Sequence, residues 1–195
     1  MVGNVNDVER GPAYDAQNSE TYAKLPSLDK WLLGRLGELE AECYDAYAEY
    51  QFQRAANALS AFAVNELSAL YLDVAKDRLY VSPKNAARRR SCQAVLVACL
   101  DTLPKLLAPL LPHLAEELHQ ALPYVEGEAW ARPSVFEGAA WARGSLAPYP
   151  PHAEAEWGLL RSLRDDANRA LEAARRAPAS PTRYDASTRG ERRQL

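Results

Sequence analysis

The chain has 195 residues, 48% of them apolar and 25% charged, which excludes a disordered chain and allows one sizeable core. Its net charge of −3 and pI near 5.7 exclude capture of nucleic acid by the overall field, so any such role needs a local basic patch. No uninterrupted apolar run approaches the roughly 20 residues of a membrane span, and no membrane partner is expected.

Residues 1–26 are polar and punctuated by Gly11-Pro12 and Pro26, which predicts an irregular lead-in. This stretch lacks the basic start and apolar centre of a signal peptide, and Asp7, Glu9, Asp15 and Glu20 make it too acidic for a transit peptide. Ser27 is then the predicted N-cap of a long helix, with Asp29 suited to the positive end of its dipole. Leu28, Leu32, Leu36, Leu39, Cys43, Tyr47 and Tyr50 recur in steps of three and four, as one buried stripe requires. Phe52 to Tyr80 repeats the pattern through Leu59, Ala63, Leu67, Leu70 and Val74, and Val81-Ser82-Pro83 ends it. A third helix begins near Asn85, with a stripe at Cys92, Leu96, Cys99, Leu103, Leu107 and Leu110. Pro104 inside it removes a backbone donor and predicts a kink or a break into two helices. Pro112 opens a short helix carrying Leu114, Leu118 and Leu122.

Residues 123–152 hold five prolines, three glycines and two tryptophans, and read as a long loop packed on the bundle by Trp130, Phe136 and Trp141. A last helix, 153–177, has its stripe at Trp157, Leu160, Leu163, Ala167, Leu171 and Ala174. Glu154 and Glu156 near its start and Arg175 and Arg176 near its end suit the macrodipole. Residues 178–195 are basic and aperiodic, and read as a disordered tail. No long run alternates with period two. The fold class is therefore all-α, with residues 27–122 forming an antiparallel helix bundle.

Charge is unevenly placed. Residues 27–51 carry six acids and two bases, a net −4, whereas residues 52–95 carry seven bases and three acids, a net +4. The densest basic part runs from Lys84 through Arg88-Arg89-Arg90. Three arginines at a helix start oppose its dipole, which a bound anion or a neighbouring acidic helix would offset. The three cysteines, Cys43, Cys92 and Cys99, form no Cys-x-x-Cys pair, so buried free thiols are expected. His113 and Glu117 share a helix face but His119 does not, and no His-Glu-x-x-His metal motif occurs. Phosphate loops, Gly-x-Gly-x-x-Gly and Gly-x-Ser-x-Gly are also absent from the sequence. Spacing and composition alone support a binding or assembly module.

Residues 62–80 read Phe-Ala-Val-Asn-Glu-Leu-Ser-Ala-Leu-Tyr-Leu-Asp-Val-Ala-Lys-Asp-Arg-Leu-Tyr. This resembles the signature helix in the anticodon-binding region of bacterial-type isoleucyl-tRNA synthetases, which are class I enzymes. Leu28-Asp29-Lys30-Trp31 resembles the family's opening of the first bundle helix, and Arg89-Arg90-Ser91-Cys92-Gln93 its Arg-Arg-Ser-x-Gln element. Leu107-Ala108-Pro109 through His113 resembles the Leu-Ala-Pro turn, followed by Ala115-Glu116-Glu117. Trp157 to Arg175 resembles the helix after the bundle, and Gly3-Asn4 with Asp7 the stretch after the catalytic module. Leu70 stands where the family usually has Phe, His119 where it usually has Trp, and Pro104 is unusual. The catalytic motifs His-Ile-Gly-His and Lys-Met-Ser-Lys-Ser do not occur, nor does the zinc-binding cysteine cluster.

The resemblance implies a helix bundle of the class I synthetase type that grips the anticodon stem-loop of tRNA(Ile), as a fragment without its catalytic domain. No cofactor is then expected in this chain, because ATP and isoleucine would bind that domain. A bacterial cytoplasm, a plastid or a mitochondrion would suit such a protein. The implied contacts to the tRNA backbone are Lys84, Arg88, Arg89 and Arg90, with Lys76 and Arg78 as weaker candidates. Lys76 has an alternative partner in Asp73, Arg78 an alternative role bridging helices, and Arg89 and Arg90 an alternative in the acidic first helix. Trp31 and Tyr47 are candidates for base stacking, with core packing as the competing role. The competing function is a non-catalytic helical module that binds protein.

Overall fold

The computed structural model describes residues 19–121, 134–137 and 151–176. The helices are α1 (Ser19–Lys24), α2 (Ser27–Ala48), α3 (Phe52–Tyr80), α4 (Ala87–Leu107), α5 (Pro112–Gln120) and α6 (Pro151–Arg176). There is no strand among the described residues. The chain divides into two units, one up to Pro150 and one from Pro151. The expected lead-in contains α1, and residues 1–18 and the tail 178–195 lie outside the described residues.

Side-chain partners fix the directions of the helices. Asp29, Arg35 and Glu42 of α2 meet Arg78, Glu66 and Arg54 of α3, in opposite order along the two helices. These two helices are therefore antiparallel. Tyr47 near the end of α2 donates to the Leu106 carbonyl near the end of α4 (2.8 Å), so α4 runs parallel to α2. Helix α5 packs on α4. The core between them holds Trp31, Leu32, Leu33, Leu36, Tyr71, Val95, Leu96, Cys99 and Leu106.

Several details differ from the sequence expectation. Pro26, not Ser27, is the boundary residue of α2, with extended ψ of 156° and no side-chain cap. Helix α2 ends early, and Tyr50 is 81% exposed rather than part of the stripe. Tyr50 has φ of 58°, its N–H reaches the Tyr47 carbonyl at 3.1 Å, and the Gln51 N–H reaches Ala46 at 2.7 Å. These are the two bonds of a Schellman cap, with tyrosine where glycine is usual.

Helix α3 changes pitch. Phe62–Leu72 is π-helical, flanked by α-helical Phe52–Ala61 and Asp73–Tyr80. The wider i→i+5 turns move the buried stripe off the 3.6-residue track. Phe62, Tyr71, Ala75 and Arg78 point inward, while Ala63 and Val74, expected inside, are exposed. By length and composition alone Phe52–Tyr80 would suffice to cross a membrane, which uninterrupted apolar runs did not reveal. Here its inward residues pack against α2 and α4.

Helix α4 runs unbroken through Pro104 to Leu107. The proline sits in the last turn, so only the one bond its nitrogen would make is missing. The Ala108 N–H still reaches the Pro104 carbonyl at 3.0 Å. Pro112 opens α5 as expected. Its inward residues are Ala115 and His119, however, whereas Leu114 is exposed.

Of the expected loop, residues 134–137 are described and are held by polar contacts. Glu116 accepts from the Ser134 hydroxyl at 2.9 Å and the Val135 N–H at 3.0 Å. Hydrogen bonds from Gln120, the Val135 backbone and Ser134 lower the carboxyl's pKa. Phe136 is exposed rather than packed, and Trp130 and Trp141 lie outside the described residues. In the second unit, Leu160, Leu163 and Leu171 of the predicted stripe are exposed.

Two outcomes follow from this packing. Tyr50→Gly relieves a left-handed backbone that costs about 1–2 kcal/mol, offset by the greater unfolded freedom of glycine and by loss of the edge contact with Phe52. A net gain of no more than about 0.5 kcal/mol is expected, read as a slightly higher urea midpoint with unchanged slope. The cysteines are free and buried, and burial pushes Cys43 up to about 11 and Cys99 to about 12. A thiol whose folded pKa is raised contributes stability that is full below its unfolded value, near 9.0, and lost as pH rises toward the folded one. A thiol-reactive dye at pH 8 should therefore label the native chain slowly and the denatured chain at once.

Candidate nucleic-acid interface

The basic run sits where α3 passes into α4, and its geometry begins with a buried charge. Asp29, in the first turn of α2, is fully buried. Arg78, in the last turn of α3, binds it with both ends of the guanidinium, at 2.7 and 2.6 Å. The same guanidinium donates to the Ser91 hydroxyl (2.8 Å) and to the Arg88 carbonyl (3.1 Å) on α4. Tyr71 donates its hydroxyl to Asp29 at 3.1 Å and lies 3.5 Å from the Cys92 sulfur. One cluster thus ties the ends of three helices.

Electrostatics follow from burial. Burial opposes the charge of Arg78, yet the hydrogen bonds and charge of Asp29 more than offset it and raise the guanidinium pKa. Burial, then the neighbouring carboxylate, holds the Tyr71 phenol well above its ordinary value. Burial likewise raises Cys92. The cluster is fixed as an ion pair with a neutral phenol and a neutral thiol.

The six implied contact residues fall into different settings. Arg78 is 8% exposed and committed to the helix junction, which is the bridging role held open for it. Lys76 is exposed and pairs with Asp73 at 3.1 Å. Arg89 donates to the Leu79 carbonyl at 3.3 Å and the Lys84 carbonyl at 3.1 Å, so it spans the connection from the end of α3. Arg90 donates to Gln93 and Asn85, both at 2.9 Å. Lys84 and Arg88 are exposed, and among the described residues neither side chain has a hydrogen-bond or ion-pair partner. The turn thus brings together Lys84, Arg88, Arg89 and Arg90. Trp31 is 2% exposed and belongs to the core, whereas half-buried Tyr47 packs on Phe52 with ring centres 5.9 Å apart and donates to the Leu106 carbonyl.

Sequence reasoning missed the partner of Arg78, because 49 residues separate it from Asp29 and local periodicity carries no such signal. It also passed over Tyr80, 74% exposed at the end of α3 beside the basic turn.

The fold is that of an all-helical bundle with a cationic connection between its second and third long helices. The family model for the anticodon-binding domain of tRNA ligase matches residues 29–187, and the chain belongs to that family. Its relatives include isoleucine–tRNA ligase of Synechococcus sp., 41% identical over 92% of this chain and 18% of the relative. That of Thermosynechococcus vestitus is 40% identical over 90% of this chain and 17% of the relative. That of Prochlorococcus marinus is 42% identical over 62% of this chain and 12% of the relative. The chain spans less than a fifth of the length of these relatives.

Removing one partner of such a buried pair leaves an uncompensated charge and costs about 3–5 kcal/mol. Asp29→Asn should approach that loss in urea unfolding, whereas Tyr71→Phe should lose only about 1–2 kcal/mol with its hydrogen bond to Asp29 and its weaker contact with Cys92.

Proposed function

We propose that the chain binds the anticodon stem-loop of tRNA(Ile), as the anticodon-binding portion of an isoleucine–tRNA ligase. In this reading ATP and isoleucine bind a catalytic domain outside this chain, and the chain itself supplies grip and position. The observation that carries the reading is the α3–α4 connection in a member of the anticodon-binding family. There Lys84 and Arg88 extend to solvent from a backbone held by Arg78 and Arg89. Lysine and arginine on such a turn neutralise phosphates, and the splayed bases of an RNA loop are then read by stacking and by hydrogen bonds to their edges. The isoleucine assignment is supported by the relatives, which are isoleucine–tRNA ligases.

The test is a titration of the chain with an isoleucine tRNA transcript across a range of salt, beside the same transcript with its anticodon changed. Tighter binding to the native anticodon, weakening as salt rises, is the expected result. Replacing Lys84 and Arg88 together by alanine should reduce the salt slope by roughly one for each phosphate contact removed. Equal, weak binding to both transcripts would overturn the reading and favour a protein partner.

A further inference from the structure

Trp31 and Tyr71 are buried, and Tyr47 and the exposed Tyr50 each lie against Phe52 at the far end of α2. Tyr80 and Val81 are 74% and 78% exposed, adjacent in sequence, and placed at the end of α3 on the basic turn. An exposed phenol beside an exposed valine is an apolar surface with a flat face.

The backbone beneath it is held on both sides. The Val81 N–H bonds to the Asp77 carbonyl at 3.0 Å, ending α3. The Leu79 carbonyl, just before Tyr80, accepts from Arg89, whose guanidinium also takes the Lys84 carbonyl. The Ala86 N–H closes the far side of the turn on Pro83 at 3.0 Å. A ring carried on so constrained a backbone loses little freedom when something stacks on it. The flanking exposed cations, Lys84 and Arg88, select for an anionic occupant.

From this juxtaposition we infer that Tyr80, backed by Val81, is a stacking platform for one unpaired base of an RNA loop whose phosphates lie on Lys84 and Arg88. This rests on the reading of the chain as a tRNA-binding module and adds the residue that holds a base. Stacking on an aromatic ring is sequence-tolerant, because every base has a π face. Tyr80 therefore supplies affinity and places the loop, while discrimination among bases falls to groups at their edges.

The experiment uses the whole chain and a hairpin RNA corresponding to the anticodon stem-loop. Tyr80→Ala is expected to bind roughly 5- to 150-fold more weakly, the range for losing one stacked base. Tyr80→Phe is expected to bind like the parent, since the ring and not the hydroxyl does the stacking. Salt dependence separates the platform from the cations: Tyr80→Ala should keep the parent's slope, which Lys84→Ala lowers. Hairpins with one unpaired base replaced by an abasic site complete the test. At one position the abasic change should weaken the parent chain and have little further effect on Tyr80→Ala, as a shared contact requires. Parent-like binding by Tyr80→Ala, or an equal loss in Tyr80→Phe, overturns the platform and leaves the tRNA reading intact. Failure of the parent chain to bind any hairpin overturns both.

Discussion

The helix ends of this bundle depend on one buried ion pair. Placing Asp29 and Arg78 away from water costs several kcal/mol per ion, and their attraction offsets this only with good geometry and satisfied hydrogen bonds. Those conditions are met. The guanidinium makes four hydrogen bonds, two to Asp29 and one each to Ser91 and the Arg88 carbonyl. Two apolar residues of similar volume could fill the same space, but they would not fix the rotation of three helix ends at once. The pair therefore contributes registration more than raw stability, and it sets where the basic turn begins.

The same pair lies just beyond the change of pitch in α3. A strict 3.6-residue helix would carry the stripe through Ala63 and Val74. The π-helical stretch Phe62–Leu72 turns Tyr71, Ala75 and Arg78 inward instead. Arg35 grips Glu66 in the middle of this stretch, at 2.9 and 3.0 Å. Polar partners from α2 thus hold α3 both within and just beyond its widest turns.

The helical class, the approximate bounds of α2 to α6 and the basic turn were all legible in the sequence, because amphipathic periodicity and proline placement are local signals. Family membership was legible in the motifs. The roles within those motifs were not. Asp29 reads as a residue suited to a helix start, and only the fold reveals it as the counter-charge of Arg78. Three of the recognisable strings, around Asp29, Arg78 and Ser91, each contribute to this one cluster. The stripe of α5 was misread because leucine spacing pointed to Leu114, while small Ala115 and buried His119 face the bundle. Long-range pairing and local pitch are properties of the assembled chain, and no window of sequence contains them.

The clamp on the α3–α4 connection has an evolutionary consequence. Arg78 and Arg89 bind backbone carbonyls of Leu79, Lys84 and Arg88, and a carbonyl is the same at every residue type. The exposed side chains at positions 84 and 88 can therefore change without loosening the scaffold that displays them, whereas Leu79 is held by the core. Framework and displayed surface are thus separable, much as a rigid sandwich carries variable loops. Substitutions at the exposed positions of the turn alter what it presents to solvent, while Arg78, Arg89 and Asp29 keep its backbone in place.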